Sequence, residues 1–272
     1  MNARSWRSTP AMPIWLDRKV PIFTNPVRGL SWAANSGCRP ASSRYGNVSR
    51  RWRPQALTRT GDTRFFMSQL FHIHPDNPQP RLVSQAVDYL NKGGVIVYPT
   101  DSGYALGCRL EEKNALERIC RIRQLDGNHN FTLMCRDLSE ISNYSQVDNS
   151  AFRLLKNNTP GSYTFILKAT KIVPRRLMND KRKTIGLRVP SNPIALALLE
   201  ALNEPMMSTS LILPGNDFTE SDPEEIQHSI GKLVDLIIDG GTLGQQPTTV
   251  VDLTSDAPAI VREGSGDTRP FL

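Results

Sequence analysis

From residue 67 onward, hydrophobic and polar positions follow two different periods along the chain. Spacings of three and four residues predict amphipathic helices, and short apolar runs bounded by Gly or Pro predict buried strands. Helices are expected at 81–92, 114–124, 150–157, 193–202 and 223–230, and strands at 68–74, 94–98, 131–135, 162–169, 183–189, 206–213, 233–238, 249–253 and 259–262. This interleaving predicts an α/β fold: one open, twisted sheet of mixed strand direction, flanked by helices.

Residues 1–66 show neither period and differ from the rest in composition. They contain 12 basic residues and 2 acidic ones, a net charge of +10, and all four tryptophans of the chain. We expect this segment to be disordered or to precede the natural start of translation, which would fall at Met67. An organellar transit peptide and a basic arm that binds nucleic acid are the alternatives. Residues 67–272 are predicted to form one domain.

The remaining 206 residues carry 21 basic and 24 acidic groups, a net charge of −3, so the basic isoelectric point of the whole chain does not indicate nucleic-acid binding by this part. None of the four cysteines belongs to a Cys-x-x-Cys pair, which favours a reduced, cytoplasmic protein. No run of about 18 apolar residues predicts a membrane span. His72 and His74 lie near each other on a predicted strand, but no metal site is expected there.

Several short polar segments could hold phosphate. Arg121 and Arg123 end a predicted helix, and Ser208 and Ser210 follow an apolar run. Guanidinium forks and hydroxyls are suited to phosphate oxygens. Thr100 follows a predicted buried strand, in a hydroxyl-rich loop where ligands of open α/β sheets often bind. Each segment alone also has an ordinary explanation, as a turn or as charge at a helix end.

Taken in order along the chain, these segments are similar to the motifs of the YrdC/YciO family, over about residues 68–265. The similar segments are Tyr-Pro-Thr-Asp from 98, Arg-x-Arg from 121, Pro-Gly-Ser-Tyr-Thr-Phe from 160, Gly-Leu-Arg-Val-Pro from 186, Ser-Thr-Ser from 208, Pro-Thr-Thr-Val-Val-Asp-Leu from 247 and Val-Arg-x-Gly from 261. The Arg-x-Arg form resembles the YciO branch most. The resemblance implies a twisted α/β sheet with a concave, positively charged cleft.

The resemblance also implies a chemistry. Synthases of this family are nucleotidyltransferases that make threonylcarbamoyl-adenylate from L-threonine, bicarbonate and ATP, for a modified adenosine next to the tRNA anticodon. Carried over by motif, Arg121, Arg123, Ser208 and Ser210 are the candidate catalytic residues that hold phosphate. The rest of the nucleotide and amino-acid pocket would be lined by Thr100, Thr164, Arg188, Thr248, Thr249 and Arg262. Magnesium would be carried by the phosphates of ATP, with no metal site in the protein.

Two positions depart from the family pattern. The family lysine is Arg121 here, which replaces a compact ammonium by a wide planar fork. The family asparagine is Ile212, and the loss of its amide could cost roughly 1–3 kcal/mol in a closed polar site. We therefore expect nucleotide or adenylate binding to survive better than synthesis. Two functions stay open: weak synthesis or hydrolysis of the adenylate, or non-catalytic binding of double-stranded RNA, tRNA or the ribosome.

Overall fold

The computed structural model describes residues 68–125, 129, 131–179, 181–255 and 257–272, and the predictions for residues 1–66 lie outside this part of the chain. Its helices are α1 (Pro80–Asn91), α2 (Lys113–Arg123), α3 (Leu138–Tyr144), α4 (Asn149–Asn158), α5 (Pro193–Leu202) and α6 (Pro223–Ile230). Its strands are β1 (Gln69–His72), β2 (Ile96–Thr100), β3 (Gly103–Arg109), β4 (Thr132–Met134), β5 (Ser145–Gln146), β6 (Tyr163–Ala169), β7 (Thr184–Arg188), β8 (Met206–Ser210), β9 (Leu236–Asp239), β10 (Thr249–Asp252) and β11 (Ala259–Arg262).

The strands form one open sheet in the order β1-β9-β2-β3-β8-β4-β7-β6-β10-β11, with β5 beside β6. The pairs β1/β9, β2/β9, β4/β7 and β6/β10 are parallel, and the remaining pairs are antiparallel. The prediction of a single mixed α/β sheet flanked by helices is therefore confirmed. Strands that are adjacent in the sheet are often distant in sequence, as β3 and β8 are.

Helices cover the two faces of the sheet unequally. On one face α1 and α5 pack against each other and on β2, around Leu90, Ile96 and Leu198. On the other face α2, α3, α4 and α6 contribute to a larger core that includes Leu106 and Leu187. Among the described residues, no helix combines the length and the apolar character needed to cross a bilayer.

Two elements differ from the sequence prediction near residue 100. The loop that was expected after Tyr98 is instead a hairpin, because β2 continues to Thr100 and β3 begins at Gly103. Pro99 was expected to end the strand predicted at 94–98, yet it lies within β2. The parallel partner of β2 pairs only at Ile96 and Val97, so the missing N–H of this proline removes no bond to that neighbour. Helix α3 was not predicted, although Asp137 precedes it as an N-cap and its side chain accepts a hydrogen bond from the Glu140 amide.

Candidate functional site

A polar cavity of about 430 Å³ lies on the sheet face that α1 and α5 leave open beyond β3. Side chains alternate across a strand, so every second residue of neighbouring strands meets on this face. The residues that form its floor come in such pairs: Thr132 and Met134, Thr164 and Ile166, Gly186 and Arg188, Ser208 and Ser210, and Thr248 and Val250. The strand register places Thr132 between Ser208 and Gly186. The alternation of side chains along the strands therefore brings the floor residues together on one face of the sheet.

Gly186 keeps the middle of the floor open. A Cβ atom at this position would lie 2.9 Å from Thr132 Oγ1 and 3.2 Å from Thr164 Cγ2. Either contact would force a neighbour to move, so a larger side chain would fill the cavity and displace the threonines that line it. The space that the cavity needs therefore explains why a glycine stands at this position.

Three guanidinium groups converge on the cavity from different elements. Arg123, at the last turn of α2, donates through Nη1 to Thr209 Oγ1 at 2.9 Å and to the Ser210 carbonyl. Arg262, at the end of β11, donates through Nε and Nη2 to the Thr248 carbonyl, at 3.1 and 2.9 Å. The third, Arg188, lies on the floor. The three charges therefore approach one space from three sides.

A turn beside the cavity holds Arg188 in place. Its Nη1 donates to Ser102 Oγ at 3.0 Å, and its Nη2 lies 2.8 Å from Asp101 Oδ2. Both partners of the ion pair are nearly buried, with side chains 6% and 11% exposed. The Nη2 group is close enough for an ion pair but is not aligned as a hydrogen-bond donor, and Nε has no hydrogen-bond partner among the described residues. Arg188 therefore retains donor capacity that protein groups do not use.

The electrostatics of the cavity favour an anion. Burial and the nearby charge of Arg262 lower the pKa of Arg123 to about 10. Burial and the charge of Arg188 likewise lower the pKa of Arg262. Both groups stay charged near neutral pH, and the described residues that line the cavity include no carboxylate. Asp101 offsets one of the three charges from behind, so the site keeps an excess of positive charge.

Seven of the ten residues implied by the motifs line this cavity, and three do not. The lining includes Arg123, Thr164, Arg188, Ser208, Ser210, Thr248 and Arg262. Arg121 lies on the exposed side of α2, with its Nε donating to the Glu117 carbonyl. Thr249 is fully buried, and its hydroxyl donates to the Gly266 carbonyl at 2.6 Å. Thr100 is buried outside the cavity lining, and its hydroxyl donates to the Gly103 carbonyl.

Other lining residues were not singled out from the sequence. Thr132 and Thr209 place further hydroxyls in the cavity, and His129 and Phe131 form one wall. The rings of His129 and Phe131 meet edge to face, with centroids 5.2 Å apart. The alternation of Thr132 and Met134 on a predicted strand could have indicated Thr132. No sequence pattern indicated His129, because it precedes its strand by three residues.

His129 is expected to make folding stability depend on pH. Burial and the charge of Arg123 lower its pKa from 6.5 to about 4. Between these two pH values the unfolded chain binds more protons, so the free energy of unfolding falls as the pH decreases and is unaffected by this ring above about pH 7. We expect a loss of about 1–2 kcal/mol, because the partly exposed ring is screened by solvent. Urea denaturation at pH 7.5 and pH 4.5 measures it.

The matched control is His129→Gln, since acidic side chains also titrate in this range. The wild type should lose more stability than this variant between the two pH values. Equal losses in both proteins would contradict a neutral, partly buried imidazole at this position.

Comparison with known proteins identifies the family. A model of the Sua5/YciO/YrdC domain, described as telomere recombination, matches residues 88–264. The uncharacterised protein YciO of Escherichia coli (strain K12) is 75% identical over 206 residues, which cover 76% of this chain and 100% of that protein. The chain belongs to the Sua5/YciO/YrdC family. The resemblance inferred from the motifs is thereby confirmed, including its YciO branch.

Solved structures of the Sua5/YciO/YrdC family agree with the fold. The crystal structure of E. coli YciO matches with a TM-score of 0.74, covering 76% of this chain and 100% of that one. The structure of P. abyssi Sua5 complexed with L-threonine matches with a TM-score of 0.67 at 23% identity, covering 72% of this chain and 58% of that one. At that identity, the second match shows the fold alone.

The two departures from the family motif lie in different surroundings. Ile212 lines the cavity, two residues after Ser210, and its amide donates to the Ser210 carbonyl at 3.1 Å. Arg121 faces solvent away from the cavity. The replaced asparagine therefore changes the lining itself, and the replaced lysine does not. Ile212 is the departure with the more direct consequence for a bound ligand.

Proposed function

We propose that this member of the Sua5/YciO/YrdC family binds an adenine nucleotide or an acyl-adenylate of the threonylcarbamoyl type, and acts on it as a weak synthase or as a hydrolase. One observation carries the proposal: Arg123, Arg188 and Arg262 converge on a cavity whose described lining includes no carboxylate. Charge-assisted bonds from arginine to phosphate are strong and directional, because the planar fork matches two oxygens.

The cavity suits a ligand that is part anionic and part apolar. Its volume of about 430 Å³ falls in the range of small-molecule sites. Hydroxyls of Ser208, Ser210 and Thr132 surround the guanidinium groups, while Met134 and Ile166 offer apolar surface. A nucleotide has both parts. Its phosphate oxygens can bind the hydroxyl and guanidinium groups, and its base or an acyl group can pack on the apolar surface.

The proposed chemistry needs positioning and charge neutralisation more than covalent help from the protein. In synthesis, the carbamate oxygen of N-carboxythreonine attacks the α-phosphorus of ATP, a P–O bond forms, and pyrophosphate leaves with the electron pair of the broken bond. Arg123 and Arg262 would stabilise the negative charge on the phosphate oxygens. In hydrolysis, water breaks the mixed anhydride and yields AMP and N-carboxythreonine.

Magnesium would be bound by the phosphates of ATP, since Mg²⁺ in enzymes is commonly bound through substrate phosphates. Among the described residues, no group of three His, Cys, Asp or Glu side chains is arranged to hold a metal ion. The family relationship adds support for the amino-acid part of the ligand, because a Sua5 of this family has been crystallised with L-threonine.

Two assays separate the two reactions. The first supplies ATP, L-threonine, bicarbonate and magnesium and follows pyrophosphate, and the second supplies threonylcarbamoyl-adenylate and follows AMP. Pyrophosphate in the first assay would establish a synthase, and AMP above the uncatalysed rate in the second would establish a hydrolase. Failure of the wild type to bind ATP, AMP or the adenylate would overturn the proposal. Salt-sensitive binding of double-stranded RNA together with that failure would favour the RNA hypothesis.

Ile212→Asn is expected to raise the synthetic rate. The substitution restores an amide to the cavity lining next to Ser210, where it could bond the carbamate or a phosphate oxygen. One recovered hydrogen bond to a charged group corresponds to roughly a tenfold gain in pyrophosphate formation. Ile212→Leu is the control, because it keeps an apolar side chain of equal volume. Equal rates in the two variants would show that the apolar residue does not limit synthesis.

A further inference from the structure

Tyr98 lies beside the cavity, on the same face of the sheet, and contacts one of the lining residues. The side chain is completely buried in the middle of β2 and is not itself part of the cavity wall. Its hydroxyl oxygen lies 2.7 Å from Ser208 Oγ, although β3 separates the two strands. The contact is possible because Gly107, the partner of Ser208 in β3, has no side chain. A Cβ atom on Gly107 would lie 2.9 Å from Tyr98 Cε1, so the phenol ring occupies that gap.

The direction of this hydrogen bond follows from burial. Burial raises the pKa of the Tyr98 phenol, so the group stays protonated and must donate its hydrogen. In the part of the chain that the structure describes, Ser208 Oγ is the hydrogen-bond partner found for this hydroxyl. A buried O–H without an acceptor is unfavourable, which makes Tyr98 the donor and Ser208 the acceptor.

The direction of this bond determines where the hydroxyl hydrogen of Ser208 points. Because the oxygen of Ser208 accepts this bond from Tyr98, which lies outside the cavity lining, the O–H group of Ser208 is left to point into the cavity. An anion with several oxygens requires donors, and Ser208 then meets it with its donor already oriented. A hydroxyl that is free to rotate would lose part of its entropy each time a ligand bound.

We propose that Tyr98 is a positioning residue of the anion site, which orients the Ser208 hydroxyl as a donor toward a phosphate group of the bound nucleotide. The inference rests on the proposed function, because it requires phosphate in this cavity. It goes further in assigning a role to a residue that does not touch the ligand and in fixing which way the serine hydroxyl points.

A double-mutant cycle on AMP affinity tests the inference. Titration calorimetry compares the full-length wild type with Tyr98→Phe, Ser208→Ala and the double variant. We expect affinity about 5-fold weaker in Tyr98→Phe and about 10-fold weaker in Ser208→Ala, as losses of single hydrogen bonds. The double variant should bind as Ser208→Ala does, since without the serine hydroxyl there is nothing for Tyr98 to orient.

Each other outcome has a definite meaning. Losses that add, to about 50-fold in the double variant, would overturn the inference, because Tyr98 would then act independently of Ser208. Wild-type affinity in Tyr98→Phe or in Ser208→Ala would overturn it as well, while nucleotide binding in this cavity would stand. If the wild type binds neither AMP nor ATP, the proposed function falls, and the inference falls with it. Urea denaturation of all four proteins shows whether a loss of affinity is a loss of folded protein.

Discussion

Arg123→Ala is expected to weaken AMP and ATP binding about 100-fold. The side chain contributes one of the three guanidinium groups of the cavity, and its Nε is buried with no hydrogen-bond partner in the described part of the chain. Loss of a charge-assisted pair of bonds to phosphate in a partly buried site corresponds to roughly 2.7 kcal/mol. Calorimetric titration or equilibrium dialysis with labelled ATP measures the change.

Arg121→Ala is the matched control for this loss. It removes the same formal charge from the same helix turn, but the side chain is exposed and lies outside the cavity. We expect its affinity to stay within about twofold of the wild type, since long-range effects at the surface are screened by salt. Equal losses in the two variants would contradict the site described here and would restore the role that the motif implied for Arg121.

Arg123→Lys separates charge from shape at the same position. Lysine keeps the positive charge without the planar fork, so it should recover only part of the lost affinity. Full recovery would mean that charge alone accounts for the contribution of this residue.

Arg188→Met is expected to reduce the free energy of unfolding by about 3–5 kcal/mol. The substitution leaves the carboxylate of Asp101 nearly buried and without its cation. The Ser191 amide and the Ser162 hydroxyl still donate to that carboxylate, but neither carries a charge. Urea denaturation at pH 7.5 measures the loss, which is distinct from any effect on ligand binding.

Two further proteins test the physical reason. Adding Asp101→Asn to Arg188→Met should recover part of the lost stability, because the buried charge is then removed. Lys113→Ala breaks an exposed pair with Glu117, where the N–O distance is 3.6 Å, and should cost less than about 1 kcal/mol. A loss of that small size in Arg188→Met would show that the pair with Asp101 is effectively solvated.

The sequence was sufficient to predict the helices whose apolar residues recur over two or more turns. All five predicted helices are present, and α5 begins as expected, with the Asn192 side chain accepting hydrogen bonds from the Ile194 and Ala195 amides. The hairpin of β2 and β3 was missed, because turn residues at 99–103 resemble a loop. Whether Pro99 ends a strand depends on where a neighbouring strand stops pairing, and that is a tertiary property.

The site was predicted in part, for a similar reason. Strand alternation brings Ser208, Thr164 and Arg188 to one face, and the motifs identified each of them. Arg121 and Arg123 are the same residue type, two positions apart in the last turn of one helix, so the sequence does not distinguish them. Only the direction in which the last turn of α2 meets β8 separates the cavity residue from the surface residue. The contact of Tyr98 with Ser208 depends on a glycine in the strand between them, which no local pattern reveals.

The order of the strands has a consequence for how the protein folds. The cavity takes Arg123 from the end of α2, Thr248 from the position just before β10 and Arg262 from the end of β11. The cavity is therefore incomplete until segments that are far apart in the chain have come together, and contacts of this kind form slowly during folding. A ligand that binds only the assembled cavity would stabilise the folded protein and not its partly folded precursors.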